Sequence, residues 1–209
     1  MKIVEDGDGQ LKDFHAQGEA AGVAPPAAAA ATSFSRILKV ETQAAHLRAE
    51  REFQSFLKYP AGELASFLSA QLCAHEGLLA ACVAPHPATR ALVDRLRRDC
   101  LASGGVRQVL PHVPRLDDLA VNYLVFGGRK GVAVIRRMMQ RSGDTAIPAH
   151  FHDDAMFDAA WADVLAELDA VVPGSPQSGT ILRDVTAGFR LFETAVAQCR
   201  AIGPARITT

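Results

Sequence analysis

The amino-acid sequence predicts an all-α, single-domain helical bundle, and three observations lead to this fold class. Hydrophobic residues make up 49% of the 209 residues but aromatic residues only 6%, and alanine runs recur. This mixture favours helices over sheets, because strands are enriched in β-branched and aromatic side chains. Apolar residues also recur three and four positions apart between breaks that contain proline or glycine, which is the spacing of one helix face.

Three helices are predicted in the first half of the chain. Ser33 and Ser35 are both suitable N-caps for the first helix, and Pro60 interrupts the pattern after it. Leucines and Phe67 give the second helix an apolar face, and Pro85-His86-Pro87 ends it. The predicted ranges are 33 or 35 to about 56, 63–83 and 89–101.

Three further helices follow a connection rich in glycine and proline at 103–114. The first of them contains a cluster of glycines, and Pro148 precedes the second. The run Pro173-Gly174-Ser175-Pro176 indicates a linker before the last helix. The predicted ranges are 116–141, 153–172 and 180–201.

The ends of the chain differ in composition from this helical region. Residues 1–32 contain Asp-Gly repeats, a Pro-Pro pair and an alanine run, so we expect a mobile leader with one short helix near 11–20. The helical domain is predicted to cover residues 33–203, followed by a tail at 204–209.

Charge and hydropathy exclude several classes of protein. The chain has 22 basic and 23 acidic side chains and a net charge of −1, so neither a nucleic-acid-binding nor a membrane-surface protein is indicated. No apolar run reaches the length of a membrane span, and the N-terminus lacks the apolar stretch of a signal peptide. The four cysteines have no Cys-x-x-Cys spacing, which favours buried or half-buried free thiols in a reducing cytoplasm.

One candidate site is a histidine in the first helix. Thr42, His46 and Glu50 are four residues apart, so they stack on one helix face, and Lys39 lies seven positions before the histidine on nearly the same face. A carboxylate one turn after a histidine fixes the ring while its other nitrogen binds a metal. A surface or satisfied core histidine is the alternative interpretation.

A second candidate site is the glycine cluster near the middle of the helix predicted at 116–141. Gly127, Gly128 and Gly131 should end a helix, yet the apolar spacing continues on both sides of them. A kinked helix whose backbone approaches a flat ligand and a loop between two short helices both fit this pattern. The spacing fits neither a Walker motif nor a dinucleotide-binding motif.

Together these segments resemble the haem (heme) oxygenase family, most closely its bacterial phytochrome-associated branch. Residues 37–50 look like the first core helix of that family, which carries the proximal haem histidine, and residues 123–131 look like its distal helix. Weaker similarities are Glu76, residues 148–151, Trp161 and residues 189–193. The resemblance spans roughly residues 34–200.

The resemblance implies a haem oxygenase bundle with haem between these two helices. Haem would be substrate and cofactor, cleaved by O₂ and electrons from an external reductase or ferredoxin to biliverdin, CO and Fe²⁺, with a bacteriophytochrome as a user of the biliverdin. The implied site residues are the iron ligand His46, its orienting partner Glu50, Lys39 at a propionate, Thr42 and Tyr123 beside the haem, and Gly127, Gly128 and Gly131 close to the O₂-binding face.

The distal segment also departs from the family pattern. Phe126 occupies a position that commonly carries a carboxylate, Val132 replaces an expected glycine, and Arg129-Lys130 replaces a small apolar pair. An apolar residue at position 126 would weaken proton delivery. A non-catalytic haem carrier or sensor, and a haem-free helical interaction protein, therefore remain alternatives.

Two other histidine segments have simpler interpretations. The run His150-Phe151-His152-Asp153 is interpreted as a polar turn, because no partner pair of metal ligands lies near it in sequence. His75 and Glu76 lack the second Glu-x-x-His pair that a di-iron helical bundle needs.

Overall fold

The computed structural model describes residues 33–141, 147–152 and 155–202. These residues form helices and no strand, so the predicted all-α class is confirmed. None of the described helices is long and apolar enough to cross a membrane. The leader with its predicted helix at 11–20, and residues 203–209, lie outside the described residues. The elements are α1 (Phe34–Glu52), α2 (Gln54–Lys58), α3 (Pro60–Ala81), α4 (Pro87–Ala102), α5 (Asp118–Gly127), α6 (Arg129–Arg141), a 3₁₀ turn (Ala149–Phe151), α7 (Ala155–Asp169) and α8 (Pro176–Ile202).

Helix α3 lies at the centre of the bundle and packs against α8, α4 and α2. It is buried along most of its length, because apolar residues occur on nearly every side of it rather than along one stripe. The Cys73 thiol contacts Cys199, and Leu78 approaches Gly188, so α3 and α8 run in opposite directions. Helix α1 also packs against α8.

Three helices begin earlier than the sequence predicts, and each begins with a proline. Pro60, Pro87 and Pro176 are the first residues of α3, α4 and α8, where the predictions were 63, 89 and 180. The first turn of a helix has no intrahelical partner for its N–H groups, so proline, which has none, is well suited to it. These prolines therefore start helices as well as separating them.

The first predicted helix is divided at Phe53. Helix α1 begins after Ser33, which occupies the N-cap position, and the carboxylate of Asp169 accepts a hydrogen bond from the Ser35 N–H at 3.1 Å. Phe53 leaves helical geometry, and the short α2 then brings Phe56 against Phe67 with ring centroids 4.0 Å apart. This stacking buries aromatic surface that a straight continuation of α1 would carry away from the core.

The predicted helix 116–141 contains a single-residue break. Asp117 caps α5 by accepting hydrogen bonds from the Leu119 and Ala120 N–H groups, and α5 ends at Gly127. Helix α6 begins at Arg129, so only Gly128 separates the two helices, with φ −62° and ψ −24°. The glycine cluster thus forms a helix-to-helix junction and not an extended loop.

Candidate functional site

His46 lies on α1 at the boundary between the buried face and solvent. Its Nε2 atom is 3.4 Å from Glu50 Oε1, and the two side chains are 50% and 57% exposed. The imidazole ring also lies against Phe189 of α8, with a centroid distance of 5.3 Å. The predicted pairing of His46 with Glu50 is present, and half of the imidazole side chain is exposed.

Thr42 connects α1 to α5. Its side chain is buried, and its hydroxyl donates a hydrogen bond of 2.7 Å to the Leu38 carbonyl. Burial raises the pKa of the Tyr123 hydroxyl, and the nearby Thr42 side chain opposes this shift. The first helix and the glycine-bearing region, about eighty residues apart in sequence, therefore meet at this pair.

Trp161 of α7 packs on the same part of α5. Its ring lies 5.6 Å from Tyr123, and the Lys130 ammonium lies 5.4 Å from the ring centroid. A Cβ atom placed on Gly127 would come within 3.3 Å of the indole, so the lack of a side chain at this position permits the close approach of α7. Gly127 is therefore covered by protein.

Gly131 has a different environment. A Cβ atom added there would have no described heavy atom within 4 Å outside its own helix backbone, and the residue is exposed. A Cβ atom on Gly128 would lie 3.2 Å from the Leu124 carbonyl oxygen. Of the three predicted glycines, Gly128 and Gly131 are exposed, and only a Cβ atom on Gly127 would meet another helix.

Two of the residues that depart from the family pattern, Phe126 and Arg129, contact other parts of the bundle. The Phe126 ring is buried, 5.2 Å from His86 and 6.4 Å from Phe157. The Arg129 guanidinium donates hydrogen bonds to the carbonyls of His150 and His152 and lies 4.8 Å from the Phe157 centroid. These side chains therefore attach the helix junction to α7 and to the 3₁₀ turn.

Lys39 lies on the exposed side of α1, two turns before His46. Within the part of the chain that the structure describes, no carboxylate pairs with it. No group of three or more His, Cys, Asp or Glu side chains able to hold a metal ion occurs among the described residues. The metal-binding prediction therefore rests on His46 as a single protein ligand.

A buried pair of histidines was not predicted. The run at 150–152 does form a turn, but His150 and Phe151 are buried, so the interpretation as a polar turn is corrected. Burial lowers the pKa of His75 to about 4, although its Nδ1 atom bonds to the Gln71 carbonyl at 2.8 Å. Burial, followed by the charge of Arg129, also lowers the pKa of His150 well below its ordinary value. Both imidazoles are therefore neutral core groups.

Glu76, one of the weaker similarities, is a structural ion-pair centre. Its carboxylate accepts hydrogen bonds from Arg97 at 2.7 Å and from Arg107 at 2.9 Å. It thus joins α3 to α4 and to the loop that follows α4. This position leaves it no part in the arrangement around His46.

No protein-family model matches the chain, and no curated protein matches it. Support for a function therefore comes from the residues and contacts described above. These contacts bring segments that are distant in sequence together: Thr42 with Tyr123, His46 with Phe189, and Trp161 with Tyr123.

Proposed function

We propose that this protein binds haem through His46 and cleaves it, with O₂ and electrons from a separate reductase or ferredoxin, to biliverdin, CO and Fe²⁺. The contact between Thr42 and Tyr123 is the observation that carries this proposal. His46 follows Thr42 by one helical turn, and Gly131 follows Tyr123 by eight residues. The half-exposed imidazole of His46 therefore lies one helical turn from the contact between Thr42 and Tyr123, and the exposed backbone at Gly131 lies about two turns from it.

The residues around His46 fit a haem group, which needs one axial nitrogen from the protein. The Glu50 carboxylate lies 3.4 Å from one ring nitrogen, where it can orient the imidazole so that the other nitrogen faces iron. The Phe189 ring restricts the imidazole from the α8 side. Haem, when bound, supplies the iron and the macrocycle that react with O₂.

The glycine junction fits a backbone that lies against a flat ligand. Gly131 offers backbone without a side chain on an open surface, whereas Gly127 accommodates Trp161. Tyr123 and Lys130 both contact Trp161, so α7 fixes the position of the junction. We therefore assign the approach to the ligand mainly to Gly131 and a packing role to Gly127.

A haem carrier or sensor is the second candidate function, and the side chain at position 126 favours it. Phe126 is apolar and buried between His86 and Phe157. It therefore supplies neither a carboxylate nor a proton at the junction. In this alternative His46 binds iron in the same way, but cleavage does not follow.

The first experiment is the visible spectrum of the purified full chain with added hemin, before and after reductant and O₂ are supplied. We expect a histidine-ligated Soret band that His46→Ala abolishes and that His112→Ala, a change of an exposed loop histidine, preserves. An unchanged band in His46→Ala would refute the ligand assignment. Binding without biliverdin would favour the carrier, and no binding would favour a haem-free interaction protein.

The second experiment compares leucine at two open glycines. Gly131→Leu and Gly62→Leu each place a side chain where the described structure leaves space beyond the glycine's own helix, so neither should unfold the domain. We expect only Gly131→Leu to weaken haem binding and slow biliverdin formation, because it fills the space assigned to the ligand. If both variants bind haem and form biliverdin equally well, the glycine junction lies away from haem.

A further inference from the structure

A cavity lies where α1, α2, α3 and the end of α8 meet the loop after α4. Its volume is about 270 Å³, and none of the residues assigned to haem lines it. Aromatic rings of Phe53, Phe56 and Phe67 form part of its wall, and the side chain of Cys199 also lines it. This cavity therefore gives a partly exposed thiol access to small molecules.

Cys199 has a second thiol beside it. Cys73 on α3 is buried and lies close to Cys199 on α8. The Cys73 thiol lowers the pKa of Cys199, and the nearness of Cys199 together with burial raises the pKa of Cys73. Of the two thiols, only Cys199 lines the cavity, where an oxidant can reach it.

The other two cysteines have environments that suppress reactivity. Cys82 donates a hydrogen bond of 2.8 Å to Asp118, and burial and this carboxylate raise its pKa to about 12. Cys100 is buried 3.7 Å from the Ser69 hydroxyl, and burial raises its pKa. Cys82 and Cys100 therefore serve as unreactive controls when the reactivity of Cys199 is tested.

We propose that Cys199 is a peroxide-reactive thiol, and that its oxidation leads to a disulfide with Cys73 that joins α8 to α3. The Cys199 thiolate attacks one oxygen of hydrogen peroxide and becomes a sulfenic acid, while the other oxygen leaves and is protonated to water. The Cys73 sulfur then attacks the Cys199 sulfur, the S–O bond breaks, and the hydroxyl group leaves with the Cys73 proton as a second water. Two thiols are oxidised and one peroxide is reduced.

The lining of the cavity favours a small neutral oxidant. The wall carries the carboxylates of Glu52 and Glu63 but a single guanidinium, Arg200, which pairs with Glu52 at 2.8 Å. An anionic oxidant such as oxidised glutathione would meet this negative charge and the aromatic wall. Hydrogen peroxide is uncharged and small enough to enter.

The test uses the full chain without added haem, exposed to hydrogen peroxide and then alkylated and analysed by peptide mass spectrometry. We expect a Cys73–Cys199 disulfide, with the loss of two hydrogen atoms. Cys199→Ser should lose both the disulfide and the peroxide consumption, whereas Cys82→Ser should keep both. Cys73→Ser, which keeps a donor beside Cys199 but cannot form a disulfide, should leave a sulfenic acid at Cys199 that dimedone traps.

Three results would overturn this inference. The first is the absence of the Cys73–Cys199 disulfide in the oxidised wild-type chain. The second is equal peroxide consumption by Cys199→Ser and wild type. The third is oxidation of the pair by oxidised glutathione under conditions where hydrogen peroxide leaves it reduced, which would contradict the assignment of a neutral oxidant.

Discussion

His46 and His75 belong to two helices that both pack on α8, and their environments differ in the features that matter for ligand binding. His46 is half exposed beside a carboxylate and a phenyl ring. His75 is buried, donates to a backbone carbonyl and lies 6.5 Å from the equally buried His150. Access to a ring nitrogen, together with a partner that orients the ring, therefore separates a candidate ligand from a histidine that stabilises the core.

Glycines show the same contrast between the exposed region near the candidate site and the interior of the bundle. Gly131 adjoins open space, but a Cβ atom on Gly188 of α8 would overlap a methyl group of Leu124 and lie 3.4 Å from Leu78. Gly188 thus allows α8 to approach α5 and α3 closely. Substitutions in the interior should change stability, and substitutions on the His46 face should change haem binding with the fold intact.

The largest expected effect is a loss of stability in acid that originates in the interior. His75 has a pKa of about 4 in the folded protein against 6.5 when unfolded, so the unfolded chain binds more protons between these values. Stability is therefore complete above about pH 6.5 and falls as the pH is lowered towards 4, by about 3 kcal/mol for His75. The depressed pKa of His150 acts in the same direction.

Urea unfolding of wild type and His75→Gln between pH 4 and 7 measures this effect. The free energy of unfolding should depend less on pH in His75→Gln, whereas His112→Gln, at an exposed position, should retain the wild-type slope. Identical slopes in all three proteins would mean that His75 is not neutral and buried in solution.

The next effect distinguishes two glycines on one helix. Gly188→Ala gains up to about 1 kcal/mol of helix propensity, but overpacking against Leu124 costs about 1–3 kcal/mol, so we expect a net loss of about 1–2 kcal/mol. Gly179→Ala on the same helix meets only the end of Arg183 at 3.9 Å and should raise stability by about 0.5–1 kcal/mol. Thermal or urea unfolding checks the signs, and stabilisation by both changes would contradict the close packing at Gly188.

Much of the fold was predictable because helical spacing and chain breaks are local properties. The apolar faces predicted six helical regions, and errors arose mainly where Pro60, Pro87 and Pro176 were treated as breaks and not as first residues of helices. The short α2 was missed because it depends on stacking between Phe56 and Phe67, a contact between separate helices.

The candidate site was predictable only in part. The pairing of His46 with Glu50 is a contact between neighbouring turns, so its spacing predicted it. The burial of Thr42, the packing role of Gly127 against Trp161 and the burial of His150 depend on which helices pack together. Nothing in the sequence around His150 distinguishes a buried turn from a polar one.

The carboxylate that orients His46 should affect haem binding and not the stability of the fold. Glu50→Gln keeps the shape of the side chain but replaces the charged acceptor, and loss of such a partner typically weakens metal binding or activity by about 10–100-fold. Because Glu50 is exposed, the free energy of unfolding should not change. Hemin titration should show weaker binding with a spectrum that is still histidine-ligated, while Glu41→Gln on the same helix should bind as wild type does. If Glu50→Gln binds hemin with unaltered affinity, the Glu50 carboxylate does not orient His46 as an iron ligand.

The smallest effect is expected at Lys39, which lies on the same side of α1 as His46 and about 10 Å before it along the helix axis. A propionate of haem bound at His46 would extend from the edge of the macrocycle, where the Lys39 ammonium supplies a charge-assisted hydrogen bond. Exposed ion pairs contribute about 0.2–1 kcal/mol, so Lys39→Ala should weaken haem binding by no more than about fivefold and leave the axial-ligand spectrum unchanged.

The dimethyl ester of haem, which has no propionate charge, isolates this contact. Lys39→Ala should bind the ester as wild type does, and Lys58→Ala, a change of an exposed lysine on α2, should leave both affinities unaltered. Equal weakening of haem and of its ester by Lys39→Ala would show that the lysine acts on the fold of α1 and not on a propionate. Loss of the histidine-ligated spectrum in Lys39→Ala would contradict the separate roles assigned to Lys39 and His46, because a contact at the edge of the macrocycle leaves the iron ligand in place.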